Sequence, residues 1–374
     1  MRIAPMSRWL LFGFIGILLT SSTAYGQAPH IGGKWEMELV GWMDRDPVQL
    51  SGDGTLHVDI VHYTDPVTLN VNLKAESSMA REGGPVLQMD HAYVDYMARE
   101  YDLRLGKQRV NWGTAVGFNP TDVINPIDIT DPMNDKLASW AIKGQYYWGP
   151  SMELTGVYLP FFHPSVDAIP GNPNIKVLSP SEHGGDGEWA VKLGGKGIKG
   201  MDLSVMYFSG WERMPSLRMT PKGPQGYYRA VSTVGADFAT AIGDLGLWAE
   251  VALTTPGEGD AYTNWAVGGD YGLPNGLKIA GQFFRQGSLG VDRDYIMLGL
   301  EQELSVIYRW KLGTVYDLDS GDYLFNPEVG VSLADGAELT FGWKNVGYEQ
   351  NNPAVKNLMS QMESKLYVGL TMNF

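Results

Sequence analysis

The residues of greatest chemical interest are four aspartates in a stretch, 111–137, that has no regular alternation of apolar and polar residues: Asp122, Asp128, Asp131 and Asp135. Two Asn-Pro pairs, Asn119-Pro120 and Asn125-Pro126, lie in the same stretch. Because proline restricts the residue before it and cannot donate to a strand ladder, these pairs favour turns. Carboxylates gathered on such a loop can attract cations, as charged rings do in channels. The simpler alternative is a surface loop whose Asp side chains only cap turns.

Three basic residues precede this stretch, within the segment Leu103-Arg104-Leu105-Gly106-Lys107-Gln108-Arg109-Val110-Asn111-Trp112-Gly113: Arg104, Lys107 and Arg109. Arg104 alternates with two leucines, so in a strand it would point to the polar side. Gly106 can introduce a bulge that turns the two later residues to either face. Two roles stay open for them. They could face the acids of the 111–137 stretch, or they could bind lipopolysaccharide phosphates at a rim.

Several classes of function are disfavoured by composition and motifs. The chain has no cysteine, which excludes disulfides and cysteine-built metal sites. Its net charge of −14 disfavours nucleic acid, whose phosphates require a basic surface. Neither Gly-x-Ser-x-Gly nor His-Glu-x-x-His occurs. We therefore predict no enzyme activity, no metal and no cofactor. An outer-membrane hydrolase that assembles a Ser–His pair from separate strands stays a minor alternative.

Alternation of apolar and polar residues covers most of the chain and predicts strands. In the last segment one face is apolar: Leu366, Val368, Leu370, Met372 and Phe374. The same pattern recurs with charged residues opposite the apolar face, which suits a wet interior better than a dry core. We predict eighteen strands, with sixteen as the fallback. Their ranges are 34–43, 53–62, 66–76, 87–97, 100–109, 138–147, 150–160, 187–195, 199–210, 229–240, 243–254, 261–271, 276–285, 293–302, 303–316, 321–333, 336–345 and 363–374.

The connections between these segments alternate in length, for example short at Tyr63-Thr64-Asp65 and long at 77–86. We place one further turn at Glu301-Gln302-Glu303, because without it a single strand would run nearly twice the length needed to span a bilayer. Short turns at one end and long loops at the other are typical of transmembrane barrels. The prediction is an all-β, antiparallel up-and-down barrel over 27–374, with 111–137 as an inserted third long loop. A soluble β-sandwich is the alternative fold.

The first 26 residues predict a secretory signal peptide. Arg2 and Arg8 supply positive charge, Trp9 to Leu19 form a short apolar run, and Ala24-Tyr25-Gly26 offers a cleavage site. The apolar run is short for a membrane helix, which takes roughly 20 residues. Export follows from this prediction, and an exported chain with the barrel predicted above would pass through the periplasm to a bacterial outer membrane.

The alternating last strand that ends at Phe374 resembles the last strand of bacterial outer-membrane proteins, which carries a signal for the barrel-assembly machinery. The Gly106-Lys107-Gln108 segment is similar to the strand end Gly–basic–Gln of several porin families, including the phosphate-selective and alginate-export porins. This resemblance implies a monomeric or trimeric barrel with a passive pore, in contact with outer-membrane lipid and lipopolysaccharide. The few arginines on the polar face argue against anion selectivity.

We therefore predict a porin for small hydrophilic solutes, biased toward cations by a constriction that the 111–137 loop forms. The rival function is a closed barrel that serves as an adhesin or a structural protein of the envelope. Large side chains packed into the lumen, such as Trp248, Phe284 and Met206, would favour the closed barrel.

Overall fold

The computed structural model describes residues 28–79, 84–128, 136–166, 168–169, 174–180, 187–288, 291–347 and 363–374. The predicted signal peptide, 1–26, lies outside these residues. Among the described residues, no helix is both long enough and apolar enough to span a bilayer.

Eighteen strands form one closed antiparallel barrel, as the alternation predicts. They are β1 (His30–Trp42), β2 (Gln49–Thr64), β3 (Val67–Ser78), β4 (Val86–Met97), β5 (Tyr101–Gln108), β6 (Ser139–Trp148), β7 (Met152–Leu159), β9 (Glu188–Ile198), β10 (Met201–Trp211), β13 (Ala230–Ile242), β14 (Leu245–Pro256), β15 (Tyr262–Gly272), β16 (Leu277–Ser288), β17 (Val291–Glu303), β18 (Tyr308–Asp317), β19 (Tyr323–Ala334), β20 (Ala337–Gly347) and β21 (Lys365–Asn373). Successive barrel strands pair with each other, and β1 pairs with both β2 and β21, which closes the sheet.

The apolar face of the strands lies outside the barrel, as predicted. In β21, Leu366 and Val368 are 49 % and 37 % exposed, whereas Tyr367 between them is buried. The Tyr367 hydroxyl donates a hydrogen bond to Glu328 of β19 on the lumen side of the sheet. In β14, Val251 and Leu253 are exposed, whereas Glu250 and Ala252, which alternate with them, are buried. A strand with one side in hydrocarbon and one in water requires this alternation. The fold is therefore a transmembrane barrel rather than the alternative β-sandwich.

The connections differ in length at the two ends of the barrel. The turn between β2 and β3 comprises only residues 65–66, and that between β13 and β14 only residues 243–244. The connection between β5 and β6 runs from Arg109 to Ala138, and it is the third long loop. With an even number of strands, β1 begins and β21 ends on the side of the short turns. We refer to the opposite side as the long-loop end.

The turn predicted at Glu301-Gln302-Glu303 is wrong by several residues, because β17 continues through Glu303 and the turn is 304–307. Glu301 and Glu303 lie opposite Lys311 and Arg309 in the register, and cross-strand pairs of opposite charge stabilise strand pairing. The Ser305 hydroxyl oxygen accepts hydrogen bonds from the backbone N–H groups of residues 307 and 308, each with an N···O distance of 3.2 Å. Val306 is 95 % exposed at this turn.

Three short strands in the long loops were not predicted. β11 (Ser216–Thr220) and β12 (Gly223–Tyr227) form a hairpin in the β10–β13 connection, and β8 (Val177–Leu178) pairs in parallel with β12. Gly223 has φ +111° at the hairpin turn, a conformation that glycine adopts without strain. The predicted long loop 286–292 is also shorter than expected, because β16 extends to Ser288 and β17 begins at Val291.

Candidate functional site

The third long loop crosses the lumen to the opposite wall. It leaves the barrel after β5, yet its Gly117 lies against Met297 of β17, where a Cβ on that glycine would be 2.5 Å from the Met297 sulfur. In the strand order, β17 is nine strands from β5, which is half-way around an eighteen-strand barrel. The described part of the loop, 109–128 and 136–138, therefore lies inside the barrel and not over its rim.

Glu250 of β14 is the main attachment point of the loop. Its side chain is 3 % exposed, and one carboxylate oxygen accepts the backbone amides of Thr114 and Ala115, the latter at 2.6 Å. The other oxygen accepts the amide and the hydroxyl of Thr121 at 3.1 and 2.9 Å. Gly113 permits this approach, because its φ is +86° and a Cβ there would lie 2.4 Å from Glu250 Oε1. Four donors thus replace the water that this buried charge has lost.

Gln282 of β16 is the second attachment point. Its Oε1 accepts the amide of Val116 at 3.2 Å and the indole Nε1–H of Trp248 at 2.8 Å, and its Nε2 donates to the carbonyl oxygen of Phe118 at 2.8 Å. The Phe118 ring stacks on Phe284 of β16, with the ring centroids 4.8 Å apart. Polar and apolar contacts therefore hold the same short segment against the far wall.

Each asparagine of the two Asn-Pro pairs folds the loop on itself. The Asn119 amide donates to the carbonyl oxygen of Trp112 at 2.8 Å, and its Oδ1 accepts the amide of Asp122 at 3.2 Å. The Asn125 side chain donates to the Val110 carbonyl oxygen at 2.9 Å and accepts the Val110 amide at 3.2 Å. These side chains supply backbone partners that a strand ladder would otherwise provide.

Two of the four predicted constriction acids lie in the described part of the loop. Asp122 is 7 % exposed in its side chain and forms an ion pair with Lys136 at 3.0 Å. Burial raises the pKa of the Asp122 carboxyl above its usual value, and Lys136 acts in the opposite direction. Asp128 is half-buried in the loop. Asp131 and Asp135 lie outside the described residues.

The three predicted basic residues contact the wall or the base of the loop. Arg104 forms a two-pronged ion pair with Asp95 at 2.6 and 2.9 Å. Lys107 donates to the carbonyl oxygen of Met89 at 2.5 Å. Arg109 pairs with Asp90 at 2.7 and 2.9 Å and also donates to the Lys136 carbonyl oxygen of the loop. Arg109 therefore secures the end of the loop that lies next to its own strand.

Other charged groups also pair with each other: Lys192 with Asp237 and Arg309 with Glu338 on the wall, and Glu188 of the wall with Arg213 of the β10–β13 connection. The histidines His57, His62 and His91 contact Glu36, Thr64 and Asp90, respectively. Within the described ranges, no group of three or more His, Asp or Glu residues is placed to hold a metal ion.

Three large side chains named as a test of the closed barrel are buried on the lumen side: Trp248, Phe284 and Met206, which are 5 %, 6 % and 3 % exposed. Met206 packs with Trp112 and Ile124 of the loop in one apolar cluster. Phe284 belongs to a second cluster, against which Ala115 and Phe118 of the loop pack. The loop is thus embedded in apolar contacts on two sides.

Sequence reasoning did not give Glu250 a role. In the structure Glu250 lies opposite Asp237 of the neighbouring strand, and two carboxylates directly across from each other repel unless each has a separate partner. Asp237 forms an ion pair with Lys192, and Glu250 accepts hydrogen bonds from the loop.

Residues 60–271, more than half of the chain, match the family model described as "Protein of unknown function (DUF1302)". The chain belongs to the DUF1302 family. No curated protein matches this DUF1302 chain.

Solved structures with a similar fold include outer-membrane barrels. Acinetobacter baumannii OccAB1 aligns with a TM-score of 0.60 and 8 % identity over 94 % of the DUF1302 chain and 97 % of OccAB1. Pseudomonas aeruginosa OccD3 (OpdP) aligns with a TM-score of 0.59 and 10 % identity over 93 % and 92 % of the two chains. Vibrio cholerae OmpT, an outer membrane protein in a trimer form, gives 0.53 and 12 % identity over 93 % and 99 %. At these identities the likeness concerns the fold alone, and it confirms the predicted β-barrel.

Proposed function

We propose that this chain forms a channel in a bacterial outer membrane for small hydrophilic solutes, narrowed by the third long loop. The observation that carries the proposal is the course of the loop, from β5 to β17 on the opposite wall. A loop held across a barrel divides the lumen into narrower passages, and side chains on it then face every solute that passes. The neighbours OccAB1 and OccD3 support the barrel fold on which the proposal rests.

The test is electrical. Purified protein, checked for folding by its change of gel mobility on heating, is added to a planar lipid bilayer in molar salt. We expect discrete conductance steps that scale with salt concentration. Folded protein that inserts into vesicles but gives no steps would contradict the channel.

The predicted cation bias is part of the same proposal. Its support is the net charge of −14 and the acids of the loop. Asp122 contributes little charge, because Lys136 compensates it at 3.0 Å, so the bias has to come from other carboxylates, Asp128 among them. Reversal potentials under a salt gradient measure it. A preference for anions would remove this part of the proposal while leaving the channel.

The closed barrel is the second candidate, and it has a specific observation in its favour, namely the burial of Trp248, Phe284 and Met206 on the lumen side. A barrel filled by these side chains would serve as an adhesin or a structural protein. The variant Glu250→Ala separates the two functions. A narrowed channel should conduct better once the loop is released, whereas a lumen filled by wall side chains should stay silent in wild type and variant.

Contacts with outer-membrane lipid are supported by the exposed apolar face, for instance Leu366 and Val368. We also propose a homotrimer, supported by the trimer form of Vibrio cholerae OmpT. Recognition by the barrel-assembly machinery through the strand that ends at Phe374, and binding of lipopolysaccharide by the basic residues near β5, stay predictions.

A further inference from the structure

A cavity of about 310 Å³ lies between the third long loop and the wall, at the long-loop end of the barrel. Its volume falls within the range of roughly 300–1,000 Å³ that is common for small-molecule sites. Loop and wall both contribute to its lining, the loop through Phe118 and Val123, the wall through Phe284, Tyr295, Met297 and Leu324. We call this cavity the upper chamber.

A column of three aromatic rings lines the upper chamber. The centroids of Phe118 and Phe284 are 4.8 Å apart and their planes differ by 23°, while Phe284 and Tyr295 are 4.9 Å apart and differ by 15°. A further planar ring can stack on the end of such a column or make an edge-to-face contact with its side. Phe208 and Val231 line the chamber from other strands of the wall. The chamber is thus built for an apolar body, and its rings favour a planar one.

The charged groups around the chamber are compensated by the protein. Asp122 pairs with Lys136 at 3.0 Å, Arg213 with Glu188 at 2.9 Å, and Glu212 with Arg229 at 2.5 Å. A charged solute would have to lose water here without gaining a free counter-charge, which is unfavourable. Neutral polar groups remain in the lining, among them the side-chain amides of Asn264 and Gln286. Amides both donate and accept hydrogen bonds, which suits a hydroxyl, carbonyl or amide on the solute.

We propose that the upper chamber is a binding subsite for uncharged solutes that combine one planar aromatic ring with a hydrogen-bonding group. This assignment rests on the proposed channel, because it names the class of solute that would bind on the long-loop side of the constriction. It goes beyond the prediction of hydrophilic solutes, because the selective element is the stacked column of rings rather than a ring of charge.

Binding is measured on the folded protein in detergent by ligand-observed nuclear magnetic resonance, with three probes that share one ring: neutral benzamide, anionic benzoate and cationic benzylammonium. Glucose serves as the polar probe, and detergent alone corrects for partition into micelles. We expect benzamide to bind at least about tenfold more tightly than the other three. Equal binding of the three aromatic probes, or tighter binding of glucose, would overturn the assignment.

Two neighbouring phenylalanines of β16 provide a matched pair of variants. Phe284 lines the chamber, whereas Phe283 lies opposite Ile296, which is 46 % exposed on the outer face. Phe284→Leu should weaken benzamide binding roughly 2- to 10-fold, because the middle ring of the column, on which Phe118 and Tyr295 stack, is lost, and Phe283→Leu should leave it unchanged. If both variants bind like the wild type, the chamber is not the subsite. Should Phe284→Leu fail to fold, Val315→Phe fills the chamber instead and should abolish binding.

The subsite and the channel fail in different ways. Salt conductance together with absent benzamide binding would overturn the subsite and leave the channel. Benzamide binding that responds to Phe284→Leu, in a protein without conductance, would overturn the channel and support the subsite, because this measurement does not require an open pore.

Discussion

Removing the Glu250 carboxylate should release the third long loop from the wall. The carboxylate accepts three backbone amides and one hydroxyl from Thr114, Ala115 and Thr121, and it is 3 % exposed. Each hydrogen bond to a charged group contributes about 1.5–3 kcal/mol, but the released donors regain water. We therefore expect Glu250→Ala to destabilise the docked loop by about 4 kcal/mol, and Glu250→Gln, which keeps one acceptor oxygen, by about 2 kcal/mol.

Hydrogen exchange followed by mass spectrometry reports this change. Because about 1.4 kcal/mol corresponds to a factor of ten in an equilibrium constant, amides in 112–122 should exchange roughly a thousandfold faster in Glu250→Ala, up to the rate of a free loop. Amides of the barrel strands should keep their protection. The matched control is Glu153→Ala, which removes another lumen-side carboxylate whose partner is Lys196 at 3.0 Å. Wild-type exchange of the loop in Glu250→Ala, or equal acceleration in the control, would refute the attachment.

Three further predictions concern the loop and the outer face. Gly113→Ala should release the loop much as Glu250→Ala does, because the added Cβ meets that carboxylate, whereas Gly149→Ala, at φ +69° with open space around it, should leave loop exchange unchanged. Val368→Arg places a charge on the lipid face and should destabilise the barrel in lipid vesicles by about 2–4 kcal/mol, as measured by urea titration. Val306→Arg, at a turn, should destabilise it far less. Equal destabilisation by the two variants would contradict the assigned faces. Because burial raises the pKa of Asp122, docking should weaken as the pH rises from the ordinary value of 3.8 through the raised one. Asp122→Asn should remove that part of the pH dependence in exchange rates, and an unchanged profile would refute it.

The barrel could be predicted from sequence because its strands obey a local rule. Side chains of β21 alternate between hydrocarbon and lumen, so Leu366 and Val368 were placed on the correct face from the period alone. The turn at 304–307 was misplaced because the charge pairs that extend β17 join it to β18, and such pairs depend on a register that the sequence of one strand does not contain.

The site was predicted only in part, for the same reason. The Asn-Pro pairs marked 111–137 as an irregular loop, and Asn119 and Asn125 do fold it on itself. Its attachment to Glu250 joins residues 129 positions or more apart, and no spacing rule connects them. The ion pair of Asp122 with Lys136 was likewise hidden, because which charges compensate each other depends on the folded path of the loop.

The central claim is that the third long loop lies inside the barrel, against the wall of the lumen. The chain has no cysteine, so two introduced cysteines report a single contact. A Cβ at Gly235 of β13 would lie 3.1 Å from Thr121 Cγ2, which is close enough for a disulfide. We expect the folded Thr121→Cys/Gly235→Cys protein to cross-link almost completely on mild oxidation, and Thr121→Cys/Val234→Cys, whose second cysteine faces outward, to stay reduced. No cross-link in the first pair, or equal cross-linking in both, would contradict the account.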